Sequence, residues 1–417
     1  MAQDNTTTTL SGLFKEVYAN ELRNLIPENV MLQKMIPFVE SSKEIGNKYH
    51  QPVQVSHEHG ITYASADSGA FALNAAIASQ FKDAQVDGSQ MLLRSSMSYE
   101  AAARASNDKK AFVKATSLMV TNMVNSMAKR LEIGILYGKS GIGKKLSQTG
   151  AGTTRAYTLQ TASWAAGIWA GSESMAVDVY DNVTKLNTNA DVVVVSVDLD
   201  LRVVNVSGNA ADLTAIDGAT LPDIYFKGAF GNEFAGLDKI ITNTGVLFNI
   251  DASLFALWKG NTYSAGSAAL SLTKILSAVA KGVERGLDEA VVCLVSPKTW
   301  SNLASDQASL RRYDDSYRAG GLDNGAEKFT FHGQNGKIEV LSSIYVKEGE
   351  AFIFPPKRLK RIGALDISFK MPGRQQQEDF FIELANSAGY ELRSYTDQSL
   401  FCDSPAKLIK ITLIVNS

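Results

Sequence analysis

The chain has 417 residues, enough for two or three domains, and 45% of them are hydrophobic while 20% are charged. Its 41 basic residues face 43 acidic ones, a net charge of −2, which excludes the strongly basic field of a nucleic-acid reader. Cys293 and Cys402 lie in apolar runs, which indicates buried thiols and neither a disulfide scaffold nor a zinc site. Without a signal-peptide pattern or an apolar run of roughly 20 residues, we expect a soluble protein made in a reducing cytoplasm, with no membrane partner.

The first 48 residues predict an extended leader that carries two short helices. Residues 1–10 are polar, Ser11 is a candidate N-cap for a helix over 11–25, and Pro27 ends that helix. Met31–Ile36 forms another short apolar turn. A leader of this kind suits an arm that lies across a neighbouring molecule.

Residues 49–106 predict an extended β-hairpin. Its first strand is expected over 48–66, where apolar residues mostly alternate: Tyr49, Val53, Val55, Ile61 and Tyr63. The return strand is expected over Met91–Glu100. A two-stranded ribbon of about 50 residues cannot bury its own faces, so we expect it to gain order only against a partner. The alternative is an ordinary hairpin folded onto the chain's own core.

A long helix is predicted from the Asn107-Asp108 cap to Tyr137. An apolar stripe rich in methionine runs along it at three- and four-residue spacing, and the helix should span roughly 45 Å. Such a stripe is typical of packing against an irregular sheet surface rather than of a cofactor site.

Residues 153–250 predict a β-rich subdomain inserted between two helices of one core. The expected strands are Asp191–Val197, Leu201–Val206, Asp223–Gly228 and Gly236–Ile241.

The order of elements after this region is distinctive. We predict a helix over Ser271–Gly286, capped by Ser271, a buried strand Ala290–Val295, a break at Ser296-Pro297-Lys298, a short helix Thr299–Leu303, a polar loop Ser305–Gly325, and a strand pair Lys337–Val346 and Ala351–Phe354. The last expected strands, which should return to the central sheet, are Asp366–Lys370, Asp379–Leu384, Gly389–Thr396 and Lys407–Val415.

Three motifs that look chemical have simpler explanations. Gly138–Lys145 nearly matches a phosphate-binding loop, but it follows a helix and has Lys145 at the hydroxyl position, so it indicates a helix end with solvated lysines. His57-Glu58-His59 supplies too few ligands for zinc, and Ser271–Lys274 lacks the partner motifs of penicillin-binding enzymes. We therefore predict no catalytic, metal or cofactor site and no enzyme.

These elements together resemble the major capsid proteins of tailed bacteriophages, with the Hong Kong 97-type fold. The resemblance rests on the long helix Asn107–Tyr137, on Ser271–Gly286, on Cys293–Trp300 and on the glycine-led strand Gly349–Phe354. It implies an α+β fold of podovirus-like type with these parts: an N-terminal arm at 1–48, an E-loop at 49–106, a spine helix and peripheral domain at 107–152, the inserted β-rich domain at 153–250, a peripheral helix and strand at 251–294, an axial domain at 295–350, and a return to the peripheral and axial sheet at 351–417.

The resemblance implies a coat protein that forms pentamers and hexamers of an icosahedral shell around double-stranded DNA. The expected partners are further copies of the chain, a separate scaffolding protein, a portal protein, decoration proteins and DNA held by non-specific contact. The location would be the virion, with assembly in the host cytoplasm. Candidate contact residues between subunits are Phe71, Leu73, Met91, Arg311, Arg312, Tyr313, Asp314, Asp315 and Arg318.

Two other functions remain open from the sequence. An encapsulin-like compartment would share the fold and carry cargo enzymes, and neighbouring portal and terminase genes would separate it from a phage capsid. A β-rich tail or adhesin protein would contain far less helix than the helices over 11–25, 107–137 and 271–286 require.

Overall fold

The computed structural model describes residues 30–40, 48–98, 115–311, 329–369, 381–384 and 388–416. The predicted helix over 11–25 and the predicted contact residues Arg312, Tyr313, Asp314, Asp315 and Arg318 lie outside these ranges. The helices are α1 Leu32–Met35, α2 Ala115–Tyr137, α3 Ala166–Trp169, α4 Ala210–Gly218, α5 Leu237–Thr242, α6 Leu272–Val283 and α7 Pro297–Arg311.

The strands outnumber the helices in the described ranges. They are β1 Phe38–Glu40, β2 Tyr49–Ser56, β3 Gln80–Val86, β4 Ser89–Ser98, β5 Gly143–Thr149, β6 Thr154–Leu159, β7 Ala176–Asp181, β8 Thr184–Lys185, β9 Val192–Asp198, β10 Val203–Ser207, β11 Asp223–Phe226, β12 Val246–Leu247, β13 Ile250–Asp251, β14 Asn261–Ala268, β15 Val291–Val295, β16 Phe329–Gly333, β17 Gly336–Ser342, β18 Ala351–Phe354, β19 Leu359–Ser368, β20 Phe381–Glu383, β21 Gly389–Cys402 and β22 Ile409–Ile414.

A six-stranded sheet forms the centre of the second half of the chain, in the order β14-β22-β18-β15-β17-β16. Its β15 is the predicted buried strand, and all five of its residues are buried. Val292 and Leu294 pack into one apolar core, while Val291, Cys293 and Val295 pack into another, which includes one side of α6. Because both faces are covered, this strand has a continuous apolar sequence without alternation.

The β-rich region folds as a ring of strands in the order β11-β5-β6-β10-β9-β7, with β8 attached to β7. The ring closes because β11 pairs with both β5 and β7. Two stacked rings, Trp164 and Trp169, and one side of α4 pack into the same apolar core as the buried residues of these strands. Closure leaves no unpaired edge within the ring, which protects it from edge-to-edge association.

A five-stranded sheet links the two ends of the chain. β19 and β21 form its centre, β1 pairs with β19 in parallel, and β4 and β20 pair with β21. The β4–β21 ladder joins Ser89–Ser98 to Gly389–Gln398.

Two buried charged residues hold α1 against this body. The carboxylate of Glu132 in α2 accepts the backbone N–H groups of residues 31–33 at 2.7 to 3.2 Å. Arg361 of β19 donates to the carbonyl of Ile36 at 3.2 Å, at the other end of the helix. Leu32 and Ile36 are fully buried. This stretch of the predicted arm therefore packs on its own chain.

A charged cluster lies between α2, α5 and the six-stranded sheet. Lys410 donates to the carboxylates of Asp238 and Glu350, and the Lys347 ammonium lies 4.0 Å from the centre of the Tyr137 ring. Burial alone would raise the pKa of Asp238, but the positive charges of Lys410 and Lys347 bring it below its usual value. Removing either member of the Lys410–Asp238 pair would leave the other charge buried without compensation.

Several predictions of local structure are confirmed. The apolar turn at Met31–Ile36 is α1, and the strand predicted over Ala290–Val295 is β15. Ser271 caps α6, since its Oγ accepts the N–H of Lys274 at 3.4 Å. Cys293 and Cys402 are free and buried, as predicted.

Three other predictions of local structure were wrong. Gly236–Ile241 was expected to be a strand but forms α5. The first seven residues of the polar loop expected over Ser305–Gly325 are helical, because α7 continues to Arg311. The strand pair predicted from Lys337–Val346 and Ala351–Phe354 is separated by β15, which lies between β17 and β18.

The segment Gly138–Lys145 is a helix end, as predicted, but Lys145 is not solvated. It is buried and donates from Nζ to the carbonyls of Ile216 and Asp217, at 2.6 and 2.9 Å. These carbonyls belong to the last turn of α4, where a cation is favoured. The helix α4 was missed, although Asn209 is an N-cap residue by type and accepts the N–H of Ala211 at 2.9 Å.

Candidate assembly surface

The predicted hairpin is shorter than the sequence indicated, and its base belongs to the body. β2 pairs with β3, and β4 leaves the hairpin to join β21. The return strand expected at Met91–Glu100 was therefore assigned to the wrong partner. At the base, Tyr49 and Val53 pack with Ala84 and Val86 against an apolar cluster around Phe401. The base is thus the alternative that the sequence left open, a hairpin folded onto its own core.

The distal part, residues 57–79, has a different environment. All hydrogen bonds described for it stay within the ribbon, such as those from Asn74 to Thr62 Oγ1 at 2.8 Å and to the Ile61 carbonyl at 2.9 Å. A tight turn at its tip brings the N–H of Ser68 to the carbonyl of Ser65 at 3.1 Å. This ribbon has no apolar core beneath it in the described structure.

The two sides of the distal ribbon keep one antiparallel register. The base ladder ends with Ser56 facing Gln80, and further out the N–H of His59 donates to the carbonyl of Ile77 at 3.1 Å. Side chains alternate between faces with period two, so opposed residues share a face. The odd-numbered residues beyond the ladder therefore lie on one face and the even-numbered ones on the other.

This alternation places all the large apolar side chains of the ribbon on a single face. We call them the hairpin stripe: Ile61, Tyr63, Phe71, Leu73, Ile77 and, next to the base, Phe81. All six are between 51% and 87% exposed. Beyond Glu58, the opposite face has small or short side chains, including Gly60, Thr62, Ala64, Ala72, Asn74 and Ala76. An exposed apolar surface this continuous is typical of a contact site with another macromolecule.

A β-bulge at Val55 places Ile61 and Tyr63 on the same outer face as the rest of the stripe. The ladder pairs Gln54 with Phe81 and then Ser56 with Gln80, so the extra residue is in β2. Before the bulge, the odd-numbered Tyr49 and Val53 face the core. After it, odd-numbered residues such as Ile61 lie on the outer face. The sequence pattern was interpreted as one apolar face over 48–66, whereas the bulge divides it into an inner and an outer half.

The structure separates the predicted contact residues that it describes. Phe71 and Leu73 are exposed on the hairpin stripe. Met91 is half-buried against the chain's own core, at the edge of a cavity. Arg311 is the last residue of α7. The sequence reasoning missed Ile77 and Phe81, although their period-two spacing with Leu73 and Phe71 was visible. The contact role of the whole set stays a prediction.

The chemical motifs acquire no further support. His57 and His59 are exposed, and no group of three or more His, Cys, Asp or Glu side chains in the described ranges is placed to hold a metal ion. No helix in the described part of the chain is long and apolar enough to cross a membrane.

Comparison with solved structures identifies the fold. The chain aligns over 98% of its length with 99% of a chain in the cyanophage A-1(L) capsid asymmetric unit, with a TM-score of 0.61 at 11% identity. A chain from the capsid of the native GTA particle aligns over 99% of both chains, with a TM-score of 0.52 at 9% identity. No protein-family model and no curated protein matches the sequence.

The chain therefore has the mixed α and β fold of phage capsid proteins. An encapsulin, the holo-SrpI complex from Synechococcus elongatus, aligns over 99% of this chain and 96% of its own, at 9% identity with a TM-score of 0.43. That score is too low to support the compartment alternative.

Proposed function

We propose that this chain is the major capsid protein of a tailed bacteriophage, which self-assembles as pentamers and hexamers into an icosahedral shell around double-stranded DNA. The observation that carries the proposal is the hairpin stripe, on a chain with the capsid-protein fold. More than half of the surface of each of its apolar side chains stays exposed in the single chain. Burying them on a neighbour would contribute roughly 25 cal/mol per Å² of apolar surface.

In this proposal the hairpin acts as the E-loop and α2 as the spine helix of the Hong Kong 97-type fold. Pentamers and hexamers place the same chain in slightly different geometries. A ribbon that is fixed at its base and free beyond residue 56 can follow such differences while keeping one apolar face on the neighbour. The contact would involve Phe71 and Leu73 directly.

The proposed role is structural, without catalysis or a cofactor. A net charge of −2 suits a shell that encloses dense DNA through non-specific contact. The proposed partners are further copies of the chain, together with a scaffolding protein, a portal protein and decoration proteins. The proposed location is the virion capsid, with assembly in the host cytoplasm.

The test is negative-stain microscopy of the expressed chain, with and without its neighbouring genes. Wild-type protein should form icosahedral shells or capsomer rings. A double variant, Tyr63→Ser with Leu73→Ser, should keep the wild-type melting temperature but remain as free subunits, because both side chains are exposed in the single chain.

The matched control is Val183→Ser with Leu201→Ser. These side chains are 79% and 66% exposed and lie at the ring of strands, far along the chain from the hairpin. The control should assemble like the wild type. Wild-type protein that forms no rings or shells under any of these conditions would contradict the proposed function.

A further inference from the structure

A cavity of about 430 Å³ opens beside the base of the hairpin, between α2, β4 and the turn after β11. Its walls include Met91, Met127 and Phe226, and its rim includes the exposed residues Ser126 and Asn232. Arg130, on the α2 side, reaches into this cavity.

The guanidinium of Arg130 lacks a full set of partners. It stacks on the ring of Phe226, with 3.2 Å from Cζ to the ring centre, and Nη2 lies 3.8 Å from the sulfur of Met175. Its Nη1 atom is buried, and no hydrogen-bond acceptor for it exists among the described residues. A buried charged donor without an acceptor has lost its contact with water and has no hydrogen bond to offset that loss.

The one carboxylate that lines the cavity does not fill this role. Glu233 forms no ion pair with Arg130 in the described structure, and it accepts the backbone N–H of Lys139 at 3.4 Å. Burial lowers the pKa of Arg130 to about 10, and the negative charge of Glu233 offsets part of that effect. Arg130 is therefore charged at neutral pH and has a free donor that points to an anion.

The cavity walls favour an anionic group that is attached to a peptide. A free, hydrated anion would have to exchange water for the apolar walls formed by Met127 and Phe226, which is costly. A carboxylate side chain on a turn of small residues would bring its own backbone and methyl groups to those walls. The volume is also several times that of a single water site, enough for such a turn.

The chain itself has such a turn at the tip of the hairpin. Asp67 is exposed there and is the only Asp, Glu, Lys or Arg between Glu58 and Lys82. Its neighbours Ala66 and Ser68 are small. The Asp67 carboxylate thus lies at the end of a projecting ribbon, and the Arg130 guanidinium lies in a cavity of the body.

We propose that the Arg130 cavity of one subunit receives Asp67 from the hairpin tip of a second copy of the chain. The carboxylate accepts from the guanidinium of Arg130, and the hairpin stripe packs on the surface next to the cavity. This inference rests on the proposed function, since it names the contact that the hairpin makes.

A thiol cross-link tests the contact directly in assembled particles. Both native cysteines are fully buried, so a thiol reagent should react selectively with new cysteines at the surface. Chains with Ala66→Cys and Ser126→Cys, which keep both Asp67 and Arg130, should give covalent multimers with a short bifunctional thiol reagent. Chains with Ala66→Cys and Ser147→Cys, whose second site is on the ring of strands, should remain monomeric on denaturing gels.

A mutant cycle tests the charge pair. Arg130→Gln and Asp67→Asn should each raise the subunit concentration needed for assembly at least about tenfold, and the double variant should be no worse than either single one. Arg285→Gln and Asp200→Asn, both at exposed sites, are the controls. Asp67 is exposed in the single chain, so Asp67→Asn should not affect folding. The assembly of that variant therefore tests the contact even if Arg130→Gln alters folding.

The outcomes are separable. The inference would be overturned if the Ala66→Cys and Ser126→Cys chain formed shells that gave no cross-link. It would also be overturned if Asp67→Asn assembled like the wild type. In both cases the proposed function would still stand. Inorganic phosphate could also protect the Ser126→Cys thiol at the cavity from the reagent while Asp67→Asn assembles normally. This result would identify the cavity as a site for a free anion and would also overturn the inference. A wild-type chain that forms no shells would overturn both.

Discussion

The base of the hairpin packs its apolar side chains on the core of its own chain, whereas the distal part exposes them. At the base, Tyr49 and Val53 lie against the cluster around Phe401, within the same chain. Beyond residue 56, the stripe that includes Tyr63 and Leu73 faces away from every described part of the chain. The base thus contributes to the stability of the single molecule, whereas the distal part can contribute only to association.

This division has a physical cause in a single extra residue. A regular ladder would have kept the odd-numbered side chains of the first strand on the core face along its whole length. Because of the bulge at Val55, odd-numbered side chains of this strand face the core before residue 55 and the outer surface after it.

The largest effect is expected at the base. Phe401 is fully buried, and its ring contacts those of Tyr49 and Phe248 at centroid distances of 5.5 and 5.4 Å. Phe401→Ala should lower the free energy of unfolding by about 3–5 kcal/mol, measured by denaturant titration. The matched variant in the distal part, Phe71→Ala, should change it by less than about 0.5 kcal/mol. Equal losses in the two variants would contradict the division.

A second test changes the body and leaves the ribbon intact. Asp238→Asn removes the partner of the buried Lys410 and should cost about 3 kcal/mol of unfolding free energy at pH 7, while the hairpin keeps its exchange pattern. The pKa of Asp238 lies below its usual value, so the ion pair stabilises the fold above about pH 4 and is lost as the pH falls through that lower value.

The difference in stability between wild type and Asp238→Asn should therefore shrink as the pH is lowered below about 4, in chemical denaturation at several pH values. A difference that stays constant down to pH 3 would show that the charge of Asp238 is not its source.

Two single-residue deletions test the register. Deleting Val55 removes the extra residue but keeps every pair beyond it, so the stripe and assembly should be preserved. Deleting Glu58 moves Ile61 and Tyr63 to the face opposite Leu73, which should raise the concentration needed for assembly about tenfold. Both proteins should melt within a few degrees of the wild type. Equal assembly of the two deletions would show that the one-sided stripe is unimportant.

The smallest effect concerns local order. We expected residues 49–106 to gain order only in a shell. Because the base of the hairpin already packs on the core, this expectation now applies to residues 57–79. In free subunits, amide exchange should be slow in β2, β3 and β4 and fast in residues 57–79, and only the latter should slow down on assembly. Protection of 57–79 in the free subunit equal to that of β3 would contradict this.

Much of the body could be predicted from the sequence because its signals are long or local. The described part of the long helix, the fully apolar β15 and the Ser271 cap each follow from pattern or residue type. The short run Gly236–Ile241 is compatible with either a strand or a helix, and only packing makes it α5. The burial of Lys145 was not predictable because its acceptors lie about 70 residues away.

The surface could be predicted only in outline, for the same reason. Phe71 and Leu73 were found from composition and share a face by their own alternation. Ile61 and Tyr63 join that face only through a bulge in β2 that no residue type announces. The Arg130 cavity combines residues of α2, β4 and the turn after β11, which no local pattern connects.

The β4–β21 ladder has a consequence for timing. Ser89 pairs with Gln398 and Ser98 with Gly389, so the strand that follows the hairpin waits for residues near the end of the chain. Such long-range pairing forms late, since a large loop must close before the contact is made. During synthesis the ribbon therefore lacks one of its supports until Gln398 has left the ribosome. A nascent subunit would then be a poor partner for finished ones, and incomplete chains would be kept out of a growing shell.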